Sequence, residues 1–144
     1  MTDISFHVNL GDPVAYACRL LRKAAASGAR VVVVAEPQDL RALDQALWTF
    51  SPQDFLPHCV AGAAPASVLA RSPIVLAPDA HAAPHRQVLV NLGTQVPEGF
   101  DGFERLIELV GRDEAALQEA RTRWKHYAAH GHTPTKFDQK DVAA

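Results

Sequence analysis

The stretch RVVVVA, residues 30–35, decides the fold class, because it contains four consecutive valines. β-Branched residues favour strands, and an uninterrupted apolar run of this length is typical of a strand that is buried on both faces. Gly28 and Pro37 bound the run. Since strands with two buried faces occur mainly in parallel sheets covered by helices, the sequence predicts an α/β fold.

Residues on both sides of this strand extend the pattern. Residues 4–8 alternate apolar and polar side chains, which predicts a strand, and residues 14–28 have apolar side chains at helical spacing and a terminal glycine. Pro37 begins a second helix, which ends at Ser51 and Pro52. We therefore predict one domain with a mostly parallel central sheet and helices on both faces, similar to nucleotide-binding folds.

The second half of the chain supplies further elements. Residues 59–72 are rich in alanine and are expected to form a loop, and two strands are predicted at residues 74–77 and 87–92. Four apolar side chains recur at helical spacing and predict a third helix: Phe103, Leu106, Ile107 and Val110.

The longest helix is predicted at residues 113–129, and it ends before Gly131 and Pro134. The residues that follow it are largely polar. We assign residues 1–133 to the α/β domain and residues 134–144 to a polar C-terminal tail.

Composition and charge narrow the class of function. The chain has 144 residues and a formal net charge of −2 at pH 7. A domain that grips phosphates usually carries a basic excess, so contact with DNA is expected to be mainly indirect. The sequence has no apolar run near the roughly 20 residues that cross a bilayer, no secretion signal, and no pairing of Cys18 with Cys59 in a CxxC motif. We expect a cytoplasmic protein that does not associate with membranes.

Catalytic and cofactor motifs are missing where an α/β fold would carry them. The loop after the first strand, residues 9–13, has the sequence NLGDP and lacks the glycines and the lysine of phosphate-binding loops. The sequence also contains no GxSxG elbow and no recognisable catalytic constellation. We predict a protein without a cofactor and without enzymatic activity, and a nucleotide-binding enzyme of unknown substrate is the alternative.

His126 and His130 are four residues apart, a spacing that places two imidazoles on one side of a helix, as metal ligands require. The glutamate of an HExxH motif is absent between them. We favour solvated histidines near a helix C-terminus, where the helix dipole tolerates positive charge, over a metal site.

The late helix carries an aromatic residue beside two cations. Leu117, Ala120 and Trp124 follow one another at three- and four-residue steps and predict the buried stripe. Arg121 and Lys125 flank Trp124. Two interpretations are open: a solvated basic face whose aliphatic stems cover the core, or a groove for an acidic peptide with a hydrophobic tip.

Trp48 lies off the apolar stripe of the second helix. That stripe contains Leu40, Leu43 and Leu47, and successive helical residues differ by about 100° around the axis. Trp48 therefore points away from its neighbour Leu47. A tryptophan in this position either anchors a partner protein or is covered by the following turn of its own chain, and the residues leave both possibilities open.

Two motifs resemble those of a known family. LDQALWTFSPQDFLPH, residues 43–58, followed by CVAG, is similar to the central signature of the chi subunit of bacterial DNA polymerase III holoenzyme, the HolC family. ARTRWKHY, residues 120–127, followed by Gly131, is similar to the C-terminal helix motif of that family. The N-terminal pattern is similar as well, so the resemblance covers nearly the whole chain.

The resemblance implies a function and a set of site residues. Members of the family are non-catalytic clamp-loader accessory subunits, which pair with the psi subunit and bind the acidic C-terminal tail of single-stranded-DNA-binding protein. Trp48 and Phe55 match positions that contact psi. Arg121, Trp124 and Val110 match positions that hold the tail.

One departure from the family pattern concerns the charge of the tail site. Leu117 stands where some relatives carry a basic residue. The resemblance therefore implies either a weaker tail site or a replacement charge from Lys125 or Arg112, and we include Lys125 in the predicted site.

Overall fold

The computed structural model describes residues 2–49, 58–60, 72–80 and 84–139. Its strands are β1 (Asp3–Leu10), β2 (Val31–Val34), β3 (His58–Val60), β4 (Ile74–Ala77), β5 (Val88–Asn91), β6 (Arg105–Gly111) and β7 (Thr135–Asp138). Its helices are α1 (Pro13–Ala26), α2 (Pro37–Thr49) and α3 (Glu114–Ala129), and a 3₁₀ turn covers Phe100–Gly102.

The described strands form one seven-stranded sheet in the order β3-β4-β2-β5-β6-β1-β7. Every neighbouring pair in this order is parallel. The predicted α/β fold with a parallel central sheet is therefore confirmed.

Helices cover both faces of the sheet, and β2 shows why its sequence is apolar throughout. Val31 and Val33 pack in the core beneath α1 and α2, whereas Val32 and Val34 pack in the core on the α3 face. All four side chains are buried, with at most 8% exposure. A strand at the centre of such a sheet has no face on which a polar side chain would be solvated.

Capping residues set the ends of the first helix. The Asp12 side chain accepts a hydrogen bond of 3.1 Å from the backbone N–H of Ala15, and Pro13 lies in the first turn. Gly28 follows the helix with φ 82°, a left-handed conformation that glycine adopts without strain. The predicted end of this helix at its terminal glycine is therefore confirmed. None of the described helices is long and apolar enough to span a bilayer.

The predicted third helix over residues 103–110 is wrong, because this segment contains β6. Its apolar side chains alternate between the two faces of the sheet: Leu106 and Val110 toward α3, Ile107 and Leu109 toward α1 and α2. A strand that is buried on both faces lacks the polar alternation of a half-exposed strand. A short apolar run of this kind cannot be distinguished from a helix by its periodicity.

Two edge strands lie in segments that were predicted to be a tail and a loop. β7 lies within residues 134–144 and pairs with β1, so residues 135–138 belong to the sheet rather than to a polar tail. β3 overlaps the predicted loop 59–72 and pairs with β4. Because edge strands are short and often polar, neither segment carries the apolar pattern of a central strand.

Candidate functional site

A groove of about 710 Å³ lies between α3 and the edge of the sheet that β1 and β7 form, and we call it the α3–β7 groove. Five α3 residues line one side: Leu117, Ala120, Arg121, Trp124 and Lys125. Five residues of β1 and β7 line the other: Phe6, Val8, Asn9, Lys136 and Asp138. The structure therefore brings Arg121, Trp124 and Lys125 together at one surface.

The aromatic part of the groove is continuous with the core. The rings of Phe6 and Trp124 lie 5.0 Å apart, and Phe6 also contacts Tyr127 at 5.9 Å. Phe6 is buried, whereas Trp124 is half-buried and borders the groove. Trp124 thus packs on the core and also presents an apolar surface to the groove. This position is compatible with both interpretations of the late helix, the solvated basic face and the groove for an acidic peptide.

The groove is cationic although the whole chain carries a formal net charge of −2. Four basic side chains line it, at Arg112, Arg121, Lys125 and Lys136, against one acidic side chain, Asp138. Arg112 is held in place, since its Nε donates to the backbone oxygen and to the side-chain oxygen of Asn9, both at 3.1 Å. A concave surface of this charge with an aromatic wall suits an anionic ligand that has an apolar group.

The structure does not bring Val110 to the groove surface. Its side chain is 2% exposed and packs in the same core cluster as Ala120 and Tyr127. The apolar residues that border the groove are instead Phe6, Val8, Leu117, Ala120 and Trp124. Val110 supports the packing of α3 rather than lining the groove.

Sequence reasoning missed the strand side of the groove. The alternation of residues 4–8 was enough to place Phe6 and Val8 on the same face of β1. The sequence did not predict that Lys136 and Asp138 line the groove, because the segment that contains them was assigned to a polar tail. The register of β7 against β1 pairs Phe6 with Lys136 and Val8 with Asp138, which puts all four side chains on one face.

A buried polar network fixes the orientation of α3. Glu108 of β6 is fully buried, and its Oε1 accepts hydrogen bonds from Arg123 Nε at 3.1 Å and from Asn91 Nδ2 at 3.0 Å. The Tyr127 hydroxyl donates to the other carboxylate oxygen. Arg123 also donates to the backbone oxygen of Thr94 at 3.0 Å. Arg123 lies between the exposed Arg121 and Lys125 in the sequence, but it is a core residue with 4% exposure.

Burial determines the direction of both pKa shifts in this network. It raises the pKa of the Glu108 carboxyl, and the Arg123 guanidinium acts in the opposite direction. Burial together with the neighbouring Glu108 raises the pKa of Tyr127, so its hydroxyl keeps its proton and remains a donor. A buried carboxylate of this kind requires the charge of Arg123 and the two further donors.

Trp48 forms a second exposed feature at the end of α2. Its side chain is 55% exposed, whereas Leu43 and Leu47 of the same helix are buried. Its ring lies 4.9 Å from that of His58, and His58 Nε2 is 3.0 Å from the Asp44 carboxylate. The prediction that Trp48 lies off the core stripe is confirmed. Phe55, which was predicted to share its role, lies outside the described residues.

His126 and His130 stack on each other rather than converge on a point between them. Their ring centroids are 4.2 Å apart at an angle of 28°, and His130 Nδ1 lies 2.7 Å from the backbone oxygen of His126. In the part of the chain that the structure describes, no group of three or more histidine, cysteine, aspartate or glutamate side chains has the arrangement of a metal site.

Comparison with solved structures finds other domains that share this α/β fold. The C-terminal domain of the DEAD-box protein Dbp5 superposes with a TM-score of 0.62, covering 98% of this chain and 92% of that domain. A Saccharomyces cerevisiae Dbp5 L327V C-terminal domain, bound to Gle1 H337R and IP6, gives a TM-score of 0.60. Sequence identities are 13% and 10%, so the likeness concerns the fold alone.

Comparison with known sequences identifies the family. DNA polymerase III subunit chi of Pseudomonas aeruginosa is 33% identical over 137 residues, which cover 92% of this chain and 93% of the relative. The subunit chi of Escherichia coli K12 is 28% identical over 116 residues, covering 79% and 77% of the two chains. The family model for the DNA polymerase III chi subunit, HolC, matches residues 1–135. The chain therefore belongs to the DNA polymerase III chi subunit family.

Proposed function

We propose that this chain is a non-catalytic accessory subunit of the replicative DNA polymerase III holoenzyme that acts within the clamp-loader complex in the cytoplasm. In this proposal it bridges the psi subunit and the acidic C-terminal tail of single-stranded-DNA-binding protein during DNA replication. Family membership supports the assignment to DNA polymerase III. The two exposed features described above supply candidate surfaces for the two partners.

The observation that carries the proposal is the charge of the α3–β7 groove. Although the chain has a formal net charge of −2, four basic side chains line one concave surface that also has an aromatic wall. A solvated basic face would need no such concavity and no half-buried tryptophan at its centre. An acidic peptide with an aromatic end would satisfy both the cations and the apolar surface.

In the bound state, Arg121 pairs with a carboxylate of the tail, and we assign it to the C-terminal one. The terminal aromatic ring packs against Trp124 and the apolar side chains Phe6 and Leu117 that border the groove. A charge-assisted hydrogen bond of this kind contributes about 1.5–3 kcal/mol, which is a large share of the binding free energy of a short peptide. Lys125 lies one helical turn from Arg121 and adds charge without adding to the apolar contact.

The second partner surface is centred on Trp48, with Phe55 as its proposed companion. Large aromatic side chains that are exposed in the free protein are the usual anchors of a protein interface. α2 lies on the opposite face of the sheet from α3, and β3 and β7 form opposite edges. The two partners would therefore approach different parts of the molecule without obstructing each other.

Calorimetric titration with an acidic peptide that ends in phenylalanine tests the tail site. We expect Arg121→Ala to weaken binding by at least about tenfold, in keeping with the loss of a charge-assisted contact. Arg41→Ala, an exposed arginine on α2, is the matched control and should bind as the wild type does. Affinity should fall as salt is added, because screening weakens contacts between exposed charges. Equal affinities for the wild type and Arg121→Ala would remove the basis for the tail site.

A further inference from the structure

β7 supplies two opposite charges to the same side of the α3–β7 groove. Lys136 and Asp138 are two residues apart on a strand, so their side chains lie on the same face, about 7 Å from each other along the strand. Phe137 lies between them on the other face, where its ring contacts that of His7 at 5.3 Å. Because β7 is fixed to β1 by its register, the positions of both charges are set by the sheet.

The two charges lie at different ends of the groove. Lys136 is level with Phe6 of β1, and Phe6 packs against Trp124 of α3. Asp138 is level with Val8, and its carboxylate accepts a hydrogen bond of 3.2 Å from Asn9 at the end of β1. Asn9 in turn accepts from Arg112, which precedes α3. Asp138 and Arg112 therefore belong to the end of the groove at the start of α3.

The charge balance differs between the two ends. At the end near the start of α3, Arg112 and Asp138 carry opposite charges and are joined through Asn9. Toward the C-terminal half of α3, Arg121, Lys125 and Lys136 line the groove with no described acidic side chain among the groove-lining residues there. The groove thus has a neutral end and a cationic end.

We propose that β7 determines how the acidic tail lies in the groove. Lys136 is a specificity-determining residue that contacts the carboxylates preceding the terminal aromatic residue, and Asp138 repels carboxylates from the other end. The tail then runs with its acidic residues toward Lys125 and Lys136 and away from Arg112. This inference rests on the proposed tail-binding function and adds to it the residues that orient the ligand.

Titrations of four variants with the phenylalanine-terminated acidic peptide test the orientation. Lys136→Gln should raise Kd about two- to fivefold, as loss of one exposed charge pair does, and Lys136→Arg should restore wild-type Kd. Asp138→Asn should leave Kd unchanged or lower it. Lys23→Gln, an exposed lysine on α1, is the matched control and should bind as the wild type does. Unchanged melting temperatures would show that these surface variants fold.

A second peptide tests whether Lys136 contacts the acidic residues that precede the terminal phenylalanine. When the acidic residues before the terminal phenylalanine are replaced by their amides, the effect of Lys136→Gln should disappear, since the charges it would contact are gone. If Lys136→Gln binds the acidic peptide as the wild type does, or Asp138→Asn weakens binding fivefold, the orientation is overturned. In either case a loss of binding in Arg121→Ala would leave the tail-binding function intact. If Arg121→Ala binds the peptide with the Kd of the wild type, the proposed tail-binding function is contradicted as well.

Discussion

At the scale of single residues, the buried pair of Glu108 and Arg123 determines which side of α3 faces the groove. Arg123 and Tyr127 are four residues apart and both bond to Glu108, so they fix the inward face of the helix. Arg121 lies two positions before Arg123, and Lys125 lies two positions after it. Each is therefore about 200° from Arg123 around the helix axis, on the opposite side of α3. The cations of the groove therefore point outward because two neighbouring residues are held inside.

Removing the buried carboxylate should destabilise the protein strongly. Glu108→Ala leaves the Arg123 guanidinium buried without its ion pair, and loss of one partner of such a pair costs about 3–5 kcal/mol. Glu104→Ala, an exposed glutamate just before β6, should change the free energy of unfolding by less than about 0.5 kcal/mol. Chemical denaturation of the two variants measures the difference, and equal stabilities would show that the network does not hold α3.

Trp48 should be dispensable for the isolated fold. Because its side chain is 55% exposed, Trp48→Ala is expected to change the free energy of unfolding by less than about 1 kcal/mol and to abolish co-purification with the psi subunit. The neighbouring Leu47→Ala, at a side chain that is 3% exposed, should cost about 2–5 kcal/mol. If Trp48→Ala lowers the free energy of unfolding as much as Leu47→Ala does, Trp48 is a core residue rather than a partner surface.

At the scale of secondary-structure elements, the sequence predicted those elements whose local signals agree with their environment. β2 has four valines because both of its faces are buried, and α1 has a capping aspartate, an early proline and a terminal glycine. The sequence did not predict β6 as a strand. Because both of its faces are buried, it lacks the alternation of apolar and polar side chains that marks a half-exposed strand.

The groove was predictable only in part, for the same physical reason. The apolar residues of α3 recur at helical spacing and therefore predict a helix, whereas β7 becomes a strand only through its pairing with β1. Its sequence, TKFD, carries an exposed lysine and an exposed phenylalanine and gives no sign of that partner. The orientation of Arg123 also depends on a glutamate 15 residues away, which no helical pattern reveals.

Deleting β7 should therefore affect both stability and binding. A chain that stops after Pro134 loses the backbone pairing of β1 on one side, as well as Lys136 and Asp138. We expect its melting temperature to fall by several degrees, roughly 2–4 °C for each kcal/mol lost, together with its affinity for the acidic peptide. A chain that stops after Gln139 keeps the strand and serves as the control. If the two truncated chains melt and bind alike, β7 is not part of the functional sheet.

At the scale of the whole molecule, the sheet separates the two candidate partner surfaces. α1 and α2 pack on one face and α3 packs on the other, with independent core clusters between them and the strands. The Trp48 surface lies on α2, whereas the groove lies between α3 and the β7 edge. A sheet with one candidate partner surface on each side is suited to hold two proteins at once, which is what the proposed bridging role requires.

The most direct test of this account is titration of the acidic peptide into the chain alone and into its purified complex with psi. We expect the same Kd within about twofold in both titrations, because the two surfaces do not overlap. Arg121→Ala should lose the peptide and keep psi, and Trp48→Ala should lose psi and keep the peptide. Displacement of psi by the peptide, or loss of both partners in either variant, would contradict the assignment of separate surfaces and with it the bridging role.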